Sequence, residues 1–335
     1  MKENNIGIVV IGRNEGDRLR VCLESLDVAQ NRVYVDSGST DNSIALARSL
    51  GAATVSLAPD TPFTAARARN AGIRWLLEHC PDVEFVQTVD GDCAIAASWL
   101  NVAMADIEAD PRRAVVFGRR TEKFPDRNAY HQACDDEWDV AHGVVNSCGG
   151  DALFRVAALR EVGGYNDALI AGEEPDLCLR LRQRGWQIWS NGQNMTLHDV
   201  AMSRFQQWWH RSRRTGYAMT ELVDLHGSAA DPAWRQLLAS AAFWSLMLVC
   251  AALGTLMLMF SDQSLARGLA VLPIGVLVLQ IARLTMRKRT RFGVLGGMQW
   301  AALLMAAKLA QVTGSLQYML QRRSGNRTGL IEYKT

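Results

Sequence analysis

Acidic residues are almost absent after about residue 236, and the longest uncharged stretch of the chain lies there. Gln236–Phe260 contains 25 residues without one charge, and about 20 apolar residues are enough for a helix to cross a bilayer. Gly268–Met286 is predicted as a second span, because Arg283 near its end can reach the interface. The sequence therefore predicts a domain over 1–235, a membrane region over 236–321 and a basic tail over 322–335.

A third apolar segment, Phe292–Gln321, carries a single charge at its middle, Lys308. A lysine at the bilayer centre costs about 2.5–3.5 kcal/mol on insertion scales, and Lys308, Gln311 and Ser315 share one helical face. We expect an interfacial or re-entrant helix here, with a third crossing as the alternative. Arg287–Arg291 and the tail are basic, which favours their location in the cytosol.

Several signals of other protein classes are missing. Residues 1–15 show no basic flank or cleavage site of a signal peptide, so we expect the amino-terminal domain to stay in the cytosol. The seven cysteines form no CxxC pair, which favours a reducing compartment over a disulfide framework or zinc site. Neither GxGxxG nor GxxxxGK[ST] follows a predicted strand, which disfavours dinucleotide and P-loop chemistry. The strongest basic run lies between apolar segments, so we expect no nucleic acid partner.

Strand and helix patterns alternate along the first 90 residues. Short apolar runs predict strands at 6–11, 32–35, 54–57 and 83–89, and helical spacing predicts helices between them, including 42–50 and 65–79. This alternation predicts an α/β fold with an open, mostly parallel sheet and helices on both faces. Ligands of such sheets bind at the carboxyl ends of the strands. Three polar clusters follow predicted strands: Arg13-Asn14-Glu15, Asp36–Asp41 and Asp90-Gly91-Asp92.

The Asp90-Gly91-Asp92 cluster has the chemistry of a cation site. Two carboxylates separated by a glycine can approach one hard cation, and Mg²⁺ or Mn²⁺ is commonly held by one or two carboxylates together with phosphate oxygens. Such a cation neutralises the charge of a departing nucleoside diphosphate. Taken alone, two aspartates around a glycine more often form a turn.

Five motifs occur in a fixed order along the chain. They are Ile8–Glu15, Val35–Asp41, Ala68-Arg69-Asn70-Ala71-Gly72, Asp90-Gly91-Asp92 and Gly172–Leu177. In this order the chain resembles the large family 2 of inverting glycosyltransferases, which share the GT-A fold, from about Ile6 to Gly185. The resemblance implies a nucleotide-diphosphate sugar as donor, a UDP- or GDP-sugar, and Mg²⁺ or Mn²⁺ at the Asp-X-Asp motif.

The resemblance also implies roles for individual residues. Those expected at the nucleotide are Asn14, Glu15, Asp36, Arg69 and Asp90, and those expected at the metal are Asp90, Asp92 and His198. Gly149, Gly150 and Asp151 resemble a small-residue loop beside donor and acceptor, although the same glycines also fit an ordinary turn. A lone histidine such as His198 is more often a packed residue. Arg211 and Arg214 are expected at the diphosphate or acceptor, or else on a solvated helix face.

Glu174 is the expected catalytic base, where the commoner form of the motif has aspartate. Pro175 suits a first helical position and Gly185 ends the helix, so Glu174 would lie at a helix amino terminus that favours its ionised form. A carboxylate there can deprotonate an acceptor hydroxyl for direct displacement. Glu173 and Asp176 remain candidates, and a purely structural cap is the alternative.

The leading hypothesis is an inverting enzyme of the cytoplasmic membrane that adds one sugar to a lipid-linked acceptor in cell-envelope or exopolysaccharide assembly. Residues 206–211 match the QxxRW motif of processive synthases poorly, which favours single-sugar transfer. One alternative makes a polyprenyl-phosphate monosaccharide, with the lipid phosphate as acceptor. The other is a non-catalytic membrane scaffold, which the intact Asp36, Asp90, Asp92 and Glu174 disfavour.

Overall fold

The computed structural model describes residues 5–26, 31–260 and 264–325, except for the side chains of 257–270. The chain forms two compact units. We call the first the sheet unit, which comprises the residues up to Pro125 together with Cys134–Ala201. The second is the helical unit, which comprises Asp126–Ala133 and the residues from Met202 onward.

The sheet unit is built on a nine-stranded mixed sheet. Its strands are β1 (Ile6–Gly12), β2 (Asn31–Asp36), β3 (Ala53–Ser56), β4 (Phe85–Asp90), β5 (Cys93–Ile95), β6 (Arg113–Glu122), β7 (Gly143–Val145), β8 (Ala152–Arg155) and β9 (Gln187–His198). Their order is β3-β2-β1-β4-β8-β6-β9-β5, and β7 also pairs with β9. The pairs that join β3, β2, β1 and β4 are parallel, as is β6 with β9, while the other pairs are antiparallel. The predicted α/β sheet is therefore confirmed.

Helices flank this sheet. They are α1 (Asp17–Glu24), α2 (Ser43–Ser49), α3 (Ala65–His79), α4 (Trp99–Ala109), α6 (Val156–Val162) and α7 (Glu173–Gln183), while α5 (Ala129–Glu137) is divided between the two units. Ile8, Val9 and Val10 in the middle of β1 are fully buried, as expected for a strand covered on both faces. Helix α3 packs closely on β1 because Gly72 has no side chain: a Cβ there would overlap Val9. This packing fixes the neighbouring Arg69, also on α3, relative to the sheet.

The helical unit contains α8 (Phe205–His226), α9 (Pro232–Phe260) and α10 (Ser264–Ser324). Gly293 interrupts α10 with φ 70° and ψ 179°, which divides it into arms over 264–292 and 294–324. The arms fold against each other, because a Cβ on Gly297 would lie 3.0 Å from the Thr285 carbonyl oxygen. An apolar cluster joins α9 to both arms: Ala251, Leu277, Leu284, Ala301 and Met305.

Helix α8 runs alongside the second arm of α10 with polar contacts. Arg213 Nε donates to Gln317 Oε1 at 2.9 Å, and the Tyr318 hydroxyl donates to Asp224 Oδ2 at 2.7 Å. The division of contacts falls at Ala201, because α8 packs on α10 and belongs to the helical unit. The catalytic domain over 1–235 stays a prediction.

Among the residues that the structure describes, two helical segments are long and apolar enough to cross a membrane, Pro232–Leu256 and Val271–Ser324. The first contains most of the predicted span over 236–260. The predicted segments over 268–286 and 292–321 correspond to the two arms of α10, which meet at the non-helical Gly293. The predicted basic tail lies mostly outside the described residues.

Candidate active site

The loops after β1 and β2 are joined by hydrogen bonds. The Asn14 amide donates to Ser39 Oγ at 2.9 Å, and Asn14 Oδ1 accepts from the Thr40 amide at 2.7 Å. Asn14 adopts a left-handed conformation with φ 54°, which asparagine tolerates better than most residues. Two of the predicted polar clusters therefore form one continuous edge of the sheet.

Asp36 shapes the second of these loops. Its Oδ2 accepts from the amides of Gly38 at 3.0 Å and Ser39 at 2.8 Å, and its Oδ1 accepts from the Tyr34 hydroxyl at 3.1 Å. Burial raises the pKa of Tyr34, so this hydroxyl stays a donor. Glu15 forms an ion pair with Arg18 at 2.8 Å. Nucleotide contacts of Asn14, Glu15 and Asp36 stay predictions.

Arg69 binds three carboxylates inside the sheet unit. Its Nη2 lies 2.9 Å from Asp90 Oδ1, and its Nη1 lies 3.1 Å from Glu173 Oε1 and 2.8 Å from Glu174 Oε1. The Tyr165 ring lies against the guanidinium, 5.6 Å from Cζ to the ring centroid. Arg69 thus connects the Asp-X-Asp motif to the first turn of α7, and the nucleotide contact predicted for it stays untested.

Arg120 holds the same aspartate from the other side. Its Nη2 lies 3.0 Å from Asp90 Oδ2 and 2.8 Å from Asp151 Oδ2. Asp151 also accepts from the Asp90 amide at 2.9 Å and from Thr196 Oγ1 at 2.9 Å. Asp151 is fully buried, so its contacts in this structure are internal rather than open to a donor or acceptor.

The loop that precedes Asp151 approaches Arg69 closely. Gly150 accepts at its carbonyl oxygen from Thr88 Oγ1 at 2.7 Å, and a Cβ on Gly150 would overlap the Arg69 guanidinium. Gly149 is exposed and faces open space. The close backbone approach expected of these glycines is therefore made at Gly150, toward a side chain of the protein.

Asp92 and His198 form a second buried group. His198 Nε2 lies 3.3 Å from Asp92 Oδ2, and its Nδ1 lies 3.6 Å from Glu122 Oε2. Burial lowers the pKa of His198, but the Asp92 and Glu122 carboxylates outweigh it and hold the pKa above its ordinary value. Trp138 packs edge-on against the imidazole, with 4.8 Å between ring centroids.

These residues fit a divalent cation in part as predicted. Asp92, Cys93 and His198 have ligand atoms within 4.8 Å of one another, and so do Asp90, Cys93 and Asp151. Burial raises the pKa of Cys93, which keeps its thiol neutral and a poor ligand. The carboxylate and imidazole of Asp92 and His198 remain as suitable donors for a metal such as Mn²⁺. Asp90, also predicted as a ligand, lies between Arg69 and Arg120, and its contact with a metal stays a prediction.

Glu174 is the second residue of α7, after the amino-terminal cap Gly172 and Glu173. Pro175 is thus the third helical residue and not the first, as we had expected. Burial, followed by the charge of Glu173, raises the pKa of Glu174 to about 7. Burial of the carboxyl therefore opposes the helix terminus, which we expected to favour its ionised form.

The two other candidate bases are less accessible. The Asp176 carboxylate accepts from Arg180 Nη2 at 2.7 Å and Nε at 2.9 Å. The Glu173 side chain is 6% exposed, against 15% for Glu174. Glu174 therefore fits the role of a base best, and Gly185 ends the helix as predicted, with φ 87°.

Arg211 and Arg214 lie on α8 in the helical unit. The Arg211 guanidinium lies against the Trp208 ring, 6.0 Å from its centroid. Their contact with a diphosphate or an acceptor stays a prediction.

Residues 7–163 match the model of glycosyl transferase family 2. The chain contains a family 2 glycosyltransferase domain. The resemblance stated from the motifs is thereby confirmed, although Glu174 and His198 lie beyond the matched residues.

The pre-mycofactocin glycosyltransferase of Mycobacterium tuberculosis, found in two strains, is 26% identical over 178 residues. The alignment covers 50% of this chain and 36% of that protein, so the chain spans little more than a third of these curated relatives. A solved structure, the mannosyltransferase PcManGT of Pyrobaculum calidifontis in complex with GDP-Man and Mn²⁺, superposes with a TM-score of 0.60. The superposed region covers 92% of this chain and 87% of the mannosyltransferase chain, with 18% sequence identity. This likeness shows that the two chains share the GT-A fold.

Several residues that contact the predicted site residues were not predicted from the sequence: Arg120, Glu122, Trp138 and Thr196. Arg120 and Glu122 end β6, whose preceding residues Ala114–Phe117 are apolar and buried. Charged residues at the end of a buried strand were a usable signal, because burial of a charge requires a partner. Trp138 and Thr196 carried no comparable signal.

Proposed function

We propose that the protein is an inverting glycosyltransferase that moves one sugar from a nucleotide-sugar to an acceptor hydroxyl by direct displacement. The observation that carries this proposal is Glu174, a carboxyl with a pKa of about 7 beside the Asp-X-Asp motif of a family 2 domain. A base with a pKa near the working pH combines a useful ionised fraction with enough basicity to remove a proton.

The surroundings of Glu174 suit a residue that changes charge during turnover. When Glu174 takes the proton of the acceptor hydroxyl, Arg69 keeps its ion pairs with Asp90 and Glu173. The guanidinium is therefore not left buried without a counter-charge, which would be costly. This arrangement suits a base at Glu174, and the greater exposure of its side chain, 15% against 6%, favours it over Glu173.

A divalent cation, Mg²⁺ or Mn²⁺, is part of the proposal. Asp92 and His198 would hold it, with Asp90 nearby, and it would supply positive charge to the departing nucleoside diphosphate. The Mn²⁺ named in the PcManGT complex agrees with this assignment. The loops containing Asn14 and Asp36 would receive the nucleotide of a UDP- or GDP-sugar.

We further propose a lipid-linked acceptor and a place in the cytoplasmic membrane, with the catalytic domain facing the cytosol. The two apolar helical segments support membrane attachment, and Arg287–Arg291 supports a cytosolic location for the bend of α10. The polar contacts between α8 and the second arm of α10 favour an interfacial helix over a third crossing. Cell-envelope or exopolysaccharide assembly is the pathway class that we infer.

Product analysis tests this function. The purified enzyme with Mn²⁺ is supplied with UDP- and GDP-sugars and a membrane lipid extract, and the product is analysed by NMR and mass spectrometry. An anomeric configuration opposite to that of the donor is expected, and retention of configuration contradicts the proposed displacement. A sugar linked directly to a lipid phosphate would identify a polyprenyl-phosphate monosaccharide synthase instead.

A further inference from the structure

Two buried thiols lie close together beside Glu174. The Sγ atoms of Cys148 and Cys178 are 3.6 Å apart, and both residues are free cysteines. Cys148 lies in the loop before β8, and Cys178 lies on α7, four residues after Glu174. Neither thiol has a role in the transfer reaction proposed above.

The positions of these thiols couple them to the catalytic carboxylate. Residues four apart lie on the same face of a helix, so Cys178 and Glu174 point to the same side of α7. Cys148 is two residues before Gly150, whose Cα packs so tightly on Arg69 that a Cβ there would overlap the guanidinium. Arg69 in turn holds Glu174 at 2.8 Å. A movement of the Cys148 loop toward α7 therefore disturbs the contact that orients Glu174.

We propose that a peroxide oxidises Cys148 and Cys178 to a reversible disulfide, and that this disulfide suppresses transfer at Glu174. Two S–H bonds and the O–O bond of hydrogen peroxide break, one S–S bond forms, and the hydrogens leave with the peroxide oxygens as two water molecules. The thiols lose two electrons and the peroxide gains them. A dithiol reductant reverses the change by thiol–disulfide exchange.

The local chemistry suits this oxidation. The hydrogen bond from Cys148 lowers the pKa of the Cys178 thiol, and the thiolate is the form that reacts with peroxide. Cys148 keeps 8% of its surface exposed, which gives a small oxidant access to the pair. A disulfide is about 2.0 Å long, so the sulfurs must approach by roughly 1.6 Å. A displacement of about 1 Å at a catalytic group can cost roughly 100-fold in rate.

The experiment uses the full-length protein in detergent, treated with hydrogen peroxide, alkylated and digested for mass spectrometry. We expect a cross-linked peptide that joins Cys148 to Cys178. We also expect the rate of nucleotide-sugar turnover to fall by roughly 10- to 100-fold and to recover when dithiothreitol is added. The variants Cys148→Ser and Cys178→Ser should keep their rate after the same treatment. Cys80→Ser is the matched control and should respond as the wild type does, because Cys80 lies outside the pair.

The cross-linked peptide can be detected whether or not the enzyme is active, so it tests disulfide formation separately from the proposed function. Only the measurement of rate rests on the proposed function. Absence of the cross-linked peptide at a peroxide dose that oxidises Cys80 overturns the proposal. So does a cross-link that leaves the rate unchanged, or equal inactivation of Cys148→Ser. If a serine variant fails to fold, as judged by circular dichroism, the proposal is still tested on the wild type. Its cross-linked peptide and its loss of rate should both disappear when the reductant is added.

Discussion

Replacing Glu174 by glutamine removes a proton acceptor while keeping the shape of the side chain. Loss of a general base typically lowers the rate by about 10²–10⁴-fold. Donor binding should change little, because the glutamine oxygen can still accept a hydrogen bond from Arg69. Arg69 also keeps its ion pairs with Asp90 and Glu173. We therefore expect a large fall in kcat of Glu174→Gln with an unchanged Kd for the nucleotide.

The pKa of Glu174 also predicts the pH dependence of the wild-type enzyme. Because burial raises this pKa to about 7, the carboxylate form needed for proton transfer is lost as the pH falls through 7. The profile of kcat/KM should rise up to about pH 7 and level off above it. This rise should be absent from the residual activity of Glu174→Gln.

Stability should move in the opposite direction to activity. A carboxyl whose pKa rises from 4.5 to about 7 on folding binds a proton more tightly in the folded state. Its contribution is therefore present below about pH 4.5 and is lost as the pH rises through 7. Ionisation costs the folded protein on the order of 3 kcal/mol, so Glu174→Gln should melt at a higher temperature than wild type at pH 8, and the difference should shrink toward pH 5.

Kinetics and thermal melts of Glu174→Gln beside two control variants complete this test. Glu173→Gln changes the neighbouring carboxylate on Arg69, and Asp176→Asn changes one that is paired with Arg180. Both should keep more activity than Glu174→Gln. A near-normal rate in Glu174→Gln, or a larger loss in Glu173→Gln, would refute the assignment of the base.

Three further predictions follow from the metal residues, the helix packing and the apolar segments. Asp92→Ala, like excess EDTA, should abolish turnover and weaken nucleotide binding together in calorimetry, and an unchanged nucleotide affinity would count against a metal bridge. Gly216→Ala should destabilise the protein by about 1–3 kcal/mol in chemical denaturation, because a Cβ there overlaps the Gln311 carbonyl, whereas Gly275→Ala faces open space and should not. A cysteine introduced at Thr335, outside the described residues, should be labelled from the cytosolic side of sealed vesicles; labelling only from the other side means that the chain crosses three times.

Much of the sheet could be predicted because its local patterns agree with its tertiary environment. The continuous apolar run of β1 reflects burial on both faces, and the helix over 65–79 matches α3. The pairing of β5 with β9 brings Asp92 and His198 within 3.3 Å of each other, and the metal that we predicted between them stays a prediction. The strand and helix patterns are each contained within a short segment.

The remaining features depend on contacts between distant segments. The pKa of Glu174 depends on burial that sequence spacing does not reveal, and this burial opposes the helix terminus. Arg120 reaches Asp90 across 30 residues, and Cys148 meets Cys178 across another 30. Helix α8 joins the helical unit through polar contacts with α10 and through the close approach of Gly216 to Gln311. The sequence alone does not reveal which partner each of these residues has, because the partners are brought together only by the tertiary fold.

The central claim, metal-dependent transfer from a nucleotide-sugar, is tested most directly by turnover across a donor panel. UDP- and GDP-sugars are incubated with the full-length enzyme in the presence of Mn²⁺ or of excess EDTA, and release of nucleoside diphosphate is measured. We expect release from one class of donor with Mn²⁺, none with EDTA, and none from Asp92→Ala. Full activity in EDTA, or no release from any donor by a folded enzyme, would contradict the claim.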